Sequence, residues 1–209
     1  MRHKFLFKIL IVIVCVGSVF VARVLKPNSE ELLKKRVAER SLGDPKAPIQ
    51  VVEYFDYQCP PCSTVRAVLD DWMIKHPGKI YLQLRYYPLA AHSHALKAAL
   101  YAECAARQEG KFFKFHNLLF DHQTEWAREA YPQLKFLIYA EKAELALSRF
   151  DVCVKDPEIE KFVNEERAKA DSLGVKITPS FFVNGKMVVG VKALLEELDA
   201  VVNQKPATS

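Results

Sequence analysis

Two cysteines separated by two prolines, Cys59 and Cys62 in "FDYQCPPCSTV", are the residues of this 209-residue chain best placed to do chemistry. Three uses compete for such a pair. A zinc or copper site needs three or four soft ligands, commonly a second Cys-x-x-Cys or two nearby histidines. Cys104 and Cys153 are isolated singles, and His92 and His94 stand two residues apart around a capping serine, so ligand count speaks against a metal. A staple closing so short a loop removes little chain entropy, which makes it a poor structural device. The third use is thiol–disulfide exchange. It needs an acidic thiol that forms a mixed disulfide and a second thiol one helical turn on that resolves it.

The neighbouring sequence supplies the elements for that third use. "IQVVEYF" (49–55) is β-branched and aromatic and predicts a strand running up to the cysteines. Cys59 then opens a helix through "STVRAVLDDWMIKH" to a Pro77-Gly78 stop. Unpaired backbone N–H groups and the helix dipole stabilise a thiolate there, and Pro60 suits the first helical position. "KIYLQLRYY" (79–87) alternates Ile80, Leu82 and Leu84 with polar residues and predicts a second strand, so the unit reads β–α–β with parallel strands. "LGDPKAP" (42–48) reads as a loop.

From His92 to Leu173 the pattern is helical. Ser93 can cap "HALKAALYAECAARQEG", in which Leu96, Leu100 and Cys104 share a face and Gly110 ends the run. "KFFKFHNLLFDH" and "YPQLKFLIYAEKAELALSRFDVCV" are amphipathic, with Phe112, Phe113, Phe115 and Phe120 expected in the core. "DPEIEKFVNEERAKADSLG" is a capped helix closing on Gly174. "SFFVNGKMVVG" (180–190) is two apolar runs joined by Asn184-Gly185, a strong hairpin signal, and "VKALLEELDAVVNQ" is a final amphipathic helix. With the helical block removed, what remains is a small sheet with helices on both sides.

Charge is uneven along the chain. Residues 1–40 hold nine of the 30 Lys/Arg and three of the 25 Asp/Glu, leaving 21 basic and 22 acidic groups in the remainder. That near-neutral body lacks the basic footprint of a nucleic-acid binder. "MRHKFLFK" precedes the uncharged "ILIVIVCVGSVFVA" (9–22), and Phe5–Leu25 as a helix spans about 31 Å, enough to cross a bilayer if Lys8 and Arg23 snorkel. A cleaved signal peptide is the alternative, though no small-x-small cleavage site follows. Val14 does not suit a lipobox at Cys15. Basic residues on the short N-terminal side keep that end in the cytoplasm and export the rest. Cys59, Cys62, Cys104 and Cys153 then lie in an oxidising compartment, where the last two are expected to form a structural disulfide rather than remain two buried thiols.

"VVEYFDYQCPPC", "HALKAALYAECA" and "GVKITPSFFVNGK" together resemble the DsbA-like thioredoxin-fold oxidoreductases of bacterial envelopes, in order and spacing, across residues 40–200. The resemblance implies an α/β thioredoxin fold with an inserted α-helical domain, preceded here by the membrane-anchor helix, and no bound cofactor. The expected organisation is a cytoplasmic tail (1–8), a transmembrane or signal anchor (9–25), a spacer helix (26–41), a thioredoxin-fold domain from 42–91 and 174–209, and a helical insertion (92–173). It also implies that Pro179 is cis and lies against the cysteine pair, so that Thr178 and Pro179 dock the substrate backbone. Glu53 becomes a buried proton relay to Cys62 rather than a solvent-facing strand residue.

Pro61 departs from the histidine usual at this dipeptide position, and it removes a donor beside the thiolate. A less oxidising pair is expected, and Pro61→His should raise the potential in glutathione equilibration; an unchanged or lower value refutes this. Thr178 resembles isomerase branches more than the oxidases. The expected activity is disulfide formation in exported cysteine-containing polypeptides, with a membrane redox partner recharging the pair. Isomerisation or reduction is the alternative, and copper(I) binding in the envelope a further one.

Overall fold

The computed structural model describes residues 29–203, so the expected cytoplasmic tail (1–8), the anchor (9–25) and Cys15 lie outside the described residues. The first described element is helix α1 (Ser29–Ala38). Among the described residues no helix is long and apolar enough to cross a membrane.

Five strands, β1 (Ser41–Gly43), β2 (Ile49–Phe55), β3 (Ile80–Tyr86), β4 (Ser180–Val183) and β5 (Lys186–Val189), form one sheet in the order β1-β3-β2-β4-β5. β2 and β3 are parallel, and the other neighbouring pairs are antiparallel. Between β2 and β3 runs helix α2 (Pro60–Lys75), which supplies the crossover that parallel strands require. The two-residue period of β2 and β3 puts Ile49, Val51, Glu53 and Phe55 on the same face as Ile80, Leu82, Leu84 and Tyr86. Cys62, Val65, Leu69 and Trp72 of α2 share this core with Leu194 and Leu198 of α9 (Gly190–Asn203). On the opposite face Tyr54 joins Tyr87, Ala170 and Val175 in a second cluster beside α8 (Pro157–Ser172). Each fully buried aliphatic side chain here contributes about 1.5–3 kcal/mol.

The segment between β3 and β4 is helical: α3 (Ala95–Ala106), α4 (Phe112–Asp121), α5 (Gln123–Trp126), α6 (Gln133–Lys142), α7 (Leu147–Val154) and α8. Phe112, Phe115 and Phe120 are buried and Phe113 packs against them. The stretch read as one amphipathic run, 131–154, is two helices, because Glu144 turns left-handed at φ 59. Cys104 on α3 and Cys153 on α7 are bonded, with S–S 2.09 Å and Cα–Cα 5.8 Å. Asp156 caps α8 by accepting from the Glu158 amide at 2.9 Å. Asn184 and Gly185 turn the β4–β5 hairpin with φ of 46 and 86.

Two local expectations change. The loop read over 42–48 begins within strand β1, because the free edge of β3 pairs with it: Ser41 with Gln83, Leu42 with Leu82, Gly43 with Tyr81. Gly43 ends it at φ +93, where an added Cβ would stand 2.1 Å from the Ile80 carbonyl oxygen. Ser93 is not the cap of α3. His94 occupies that position, and its amide is met from outside the helix by Gln58 Oε1 at 2.7 Å.

Val37 and Arg40, in the segment read as a spacer, are buried. Arg40 makes two bonds to Glu166, at 2.8 and 2.7 Å, and donates to the Leu84 carbonyl at 3.1 Å. Arg85 adds a 2.9 Å bond to the same carboxylate and the Tyr86 amide one at 3.1 Å. Burial pushes the Glu166 carboxyl upward, but Arg40 and Arg85 outweigh it and hold it below the usual carboxylate range. This buried network joins the entering chain to β3 and α8.

Candidate active site

Cys59 stands at the junction the sequence implies. β2 ends at Phe55, a turn closes with the Cys59 amide on the Asp56 carbonyl at 3.1 Å, and Pro60 and Pro61 fill the first helical positions. Cys59 itself is the N-cap, in extended backbone and with no side-chain capping bond, so its sulfur is free to interact elsewhere. The helix start offers it partial positive charge.

Both thiols are free, and Cys59 and Cys62 retain 5% and 1% exposure. Cys59 is therefore the more open of the two by a narrow margin, and both are largely covered. Its cover comes partly from the loop before β4. Cys59 Sγ donates to the Thr178 carbonyl at 3.4 Å, and the Thr178–Pro179 bond is cis. The Thr178 hydroxyl is buried without another hydrogen-bond partner among the described residues.

These surroundings split the two thiols. A hydrogen bond from Cys62 and a second from Thr178 outweigh burial and draw Cys59 down to about 6. Burial first, then the bond to Cys59 and the charge of Glu53, push Cys62 well above the ordinary thiol value. One sulfur is poised as a thiolate and leaving group, the other as a protonated donor.

Glu53 lies behind the pair, 5% exposed, on the α2 side of the sheet. Burial, and secondarily the charge of Cys59, push its carboxyl up to about 8. Glu53 and Cys62 line one cavity of about 160 Å³, together with Leu84, His116 and Phe120. His116 is hydrogen-bonded to the Tyr57 hydroxyl at 2.9 Å, and burial lowers its pKa to about 3, so it is neutral.

Sequence reasoning gave Asp56 no role and did not single out Gln58 or Gln123. Gln123 Nε2, on α5, donates to the carbonyls of Tyr57 at 2.7 Å and Cys59 at 3.0 Å and so fixes the turn from the helical segment. Asp56 accepts from the Gln58 and Leu89 amides at 2.6 and 2.9 Å. The only sequence signal for Asp56 and Gln58 is the turn chemistry of "FDYQCPPC", and Gln123 has none. Among the described residues no group of three or more His, Cys, Asp and Glu side chains could hold a metal ion.

Residues 35–204 match the family model described as Thioredoxin. The fold is similar to a thioredoxin-like oxidoreductase of Silicibacter pomeroyi DSS-3, with TM-score 0.63 and 27% identity over 79% of this chain and 92% of that one. It is also similar to α-DsbA1 of Wolbachia pipientis, with TM-score 0.67 and 27% identity over 78% and 88%. Among curated relatives, a Na(+)/H(+) antiporter NhaA 3 of Salinispora tropica is 37% identical over 145 residues, 69% of this chain. The chain spans about a fifth of that relative's length, 21%. A Cys-x-x-Cys pair at a helix start, a cis-proline loop on its sulfur and a match over most of the chain have one common origin: the chain belongs to the thioredoxin family, and its fold is similar to that of a DsbA-type member.

Proposed function

We propose that the chain forms disulfides in exported cysteine-containing polypeptides through Cys59 and Cys62. The observation that carries this is the placement of Cys59: a thiol drawn down to about 6, at the start of a helix and 3.4 Å from the Thr178 carbonyl. In the oxidised protein a substrate thiolate attacks Cys59 Sγ. The Cys59–Cys62 bond breaks, and Cys62 leaves with the electron pair and takes a proton by way of Glu53. A second substrate thiolate then attacks the substrate sulfur of the mixed disulfide and expels Cys59 as a thiolate. The polypeptide has lost two electrons and the cysteine pair has gained them. A membrane redox partner of the exported compartment reoxidises the pair.

Thr178 and Pro179 serve in this reading as the dock for the substrate backbone beside the sulfur. Residues 92–173 are read as an insertion into a thioredoxin-fold domain of 42–91 and 174–209, with Cys104–Cys153 as its structural disulfide. An anchor at 9–25 would hold the whole at the outer face of the inner membrane.

Isomerisation or reduction is the second reading. Pro61, exposed in the dipeptide and carrying no donor, favours it by leaving the thiolate less stabilised. The reduction potential from glutathione equilibration, read beside oxidation of reduced ribonuclease and refolding of scrambled ribonuclease, separates the two. A potential well below that of glutathione, with no net oxidation of reduced ribonuclease, sinks the oxidase assignment.

A further inference from the structure

The turn that presents Cys59 holds a second polar assembly outside the thiol pair. The Asp56 side chain is fully buried, and both oxygens are engaged. Oδ1 accepts from the Gln58 amide at 2.6 Å, and Oδ2 accepts from the Leu89 amide at 2.9 Å. Oδ2 also meets His92 Nδ1 at 2.7 Å, with the Asp56 side chain 0% and the His92 side chain 26% exposed. The segment carrying His92 is tied to the same turn again, by the His94 amide on Gln58 Oε1 at 2.7 Å. The Asp56 carbonyl accepts the Cys59 amide at 3.1 Å. A ring open to solvent on one side is thus linked through a single buried carboxylate to the cysteine turn.

A carboxylate in that position opposes a thiolate three residues on, and Asp56 is among the charges that push the Cys59 thiol upward. A neutral donor on Oδ2 leaves that charge in place, whereas an imidazolium offsets it. Pro61 supplies no such compensation from the dipeptide.

We propose that His92 is a positioning residue that sets the charge seen by Cys59, acting through Asp56 rather than by touching substrate. Asp56 is the one ion-pair partner of His92 among the described residues. The other titratable groups on the two tied segments are Tyr57 and Cys59 on the turn and His94, two residues beyond His92. The proposal rests on Cys59 being the exchanging thiol.

The test uses the reduced full chain. Cys59 is titrated by thiolate absorbance and by iodoacetamide alkylation against pH, in the wild type, His92→Gln, Asp56→Asn and the double variant. Glutamine keeps a donor but cannot become an imidazolium, so on this proposal His92→Gln should raise the Cys59 midpoint and slow alkylation below it about threefold to tenfold. Asp56→Asn should lower the midpoint, and in that background His92→Gln should change nothing. An unchanged midpoint in His92→Gln overturns the proposal, as does the same shift with Asp56 absent. If His92→Gln does not fold, Asp56→Asn alone decides, since an unchanged or raised midpoint is then fatal. A loss of packing alone would move stability without this dependence of one variant on the other. Insulin reduction by the wild type is measured separately: its absence defeats the exchange reading and leaves the titration result standing.

Discussion

The sulfur of Cys59 lies 3.4 Å from the carbonyl oxygen of Thr178, a residue 119 positions further along the chain. The hydroxyl of the same threonine is buried with no other partner among the described residues, and Thr178 is one of the groups that draw the Cys59 thiol down. Thr178→Val keeps shape and removes that hydroxyl. The Cys59 midpoint should rise and alkylation below it should slow several-fold. Stability should change little, because among the described residues no group other than the sulfur depends on that hydroxyl. Thiolate absorbance against pH, with a urea midpoint, checks both; a fall in the thiol midpoint contradicts the assignment.

Glu53 gives a pH signature of the opposite kind to an ordinary surface acid. Its pKa in the fold, about 8, lies above the unfolded carboxylate value, so the folded state binds the proton more tightly. Its contribution to stability is therefore full at low pH, declines from the ordinary carboxylate range up to about 8, and levels off beyond. Cys59, lowered to about 6, acts in the reverse sense at higher pH, so the informative quantity is the difference between proteins. Glu53→Gln should gain on the wild type as pH rises, by about 1.4 kcal/mol for each unit of the shift as an upper scale. Urea unfolding of the reduced proteins at several pH values reads this. Parallel curves would show that Glu53 is not held protonated.

The ledger at Glu166 runs the other way. Its carboxyl is held below the usual range despite burial, so its stabilising contribution is present above the unfolded carboxylate pKa and lost as pH falls. Glu166→Gln leaves Arg40, buried at 0% exposure, without its two-bond partner. The expected loss is about 3–5 kcal/mol near neutrality, with a flatter acid limb than the wild type. Calorimetry between neutral and acid pH measures both, and equal acid limbs would remove the ion pair from the account.

The bond between Cys104 and Cys153 closes a loop with sequence separation 49. In the chain-entropy model, replacing both by Ala should cost about 4 kcal/mol in guanidinium unfolding. Labelling without reductant should find no free thiol at either position in the wild type, and two labelled thiols there would end the structural role.

How much of this was written in the sequence depends on how local each signal is. "IQVVEYF", the Asn184-Gly185 turn and the Asp156 cap carry their information within a few residues, and each element formed where read. β1 was not legible: "SLG" has no alternation and ends in glycine, and it becomes a strand only because β3 has an edge to offer. The cap of α3 was misread for the same reason, since the group that meets the His94 amide is Gln58, 36 residues away. Glu53 followed the parity of Val51 and Phe55 onto the buried face, but only the family resemblance gave that position a chemical meaning. Asp56 and Gln123 were invisible as site residues because their partners arrive from other elements.

The two ends of the sheet carry a last consequence. β1 is three residues long and is cut off where Gly43 meets the Ile80 carbonyl, and β5 is four residues long before the chain turns into α9. Margins this short give an extended stranger little to zip onto. On the proposed function, such margins let the cysteine pair trade sulfur bonds with extended polypeptides without annealing them into the sheet.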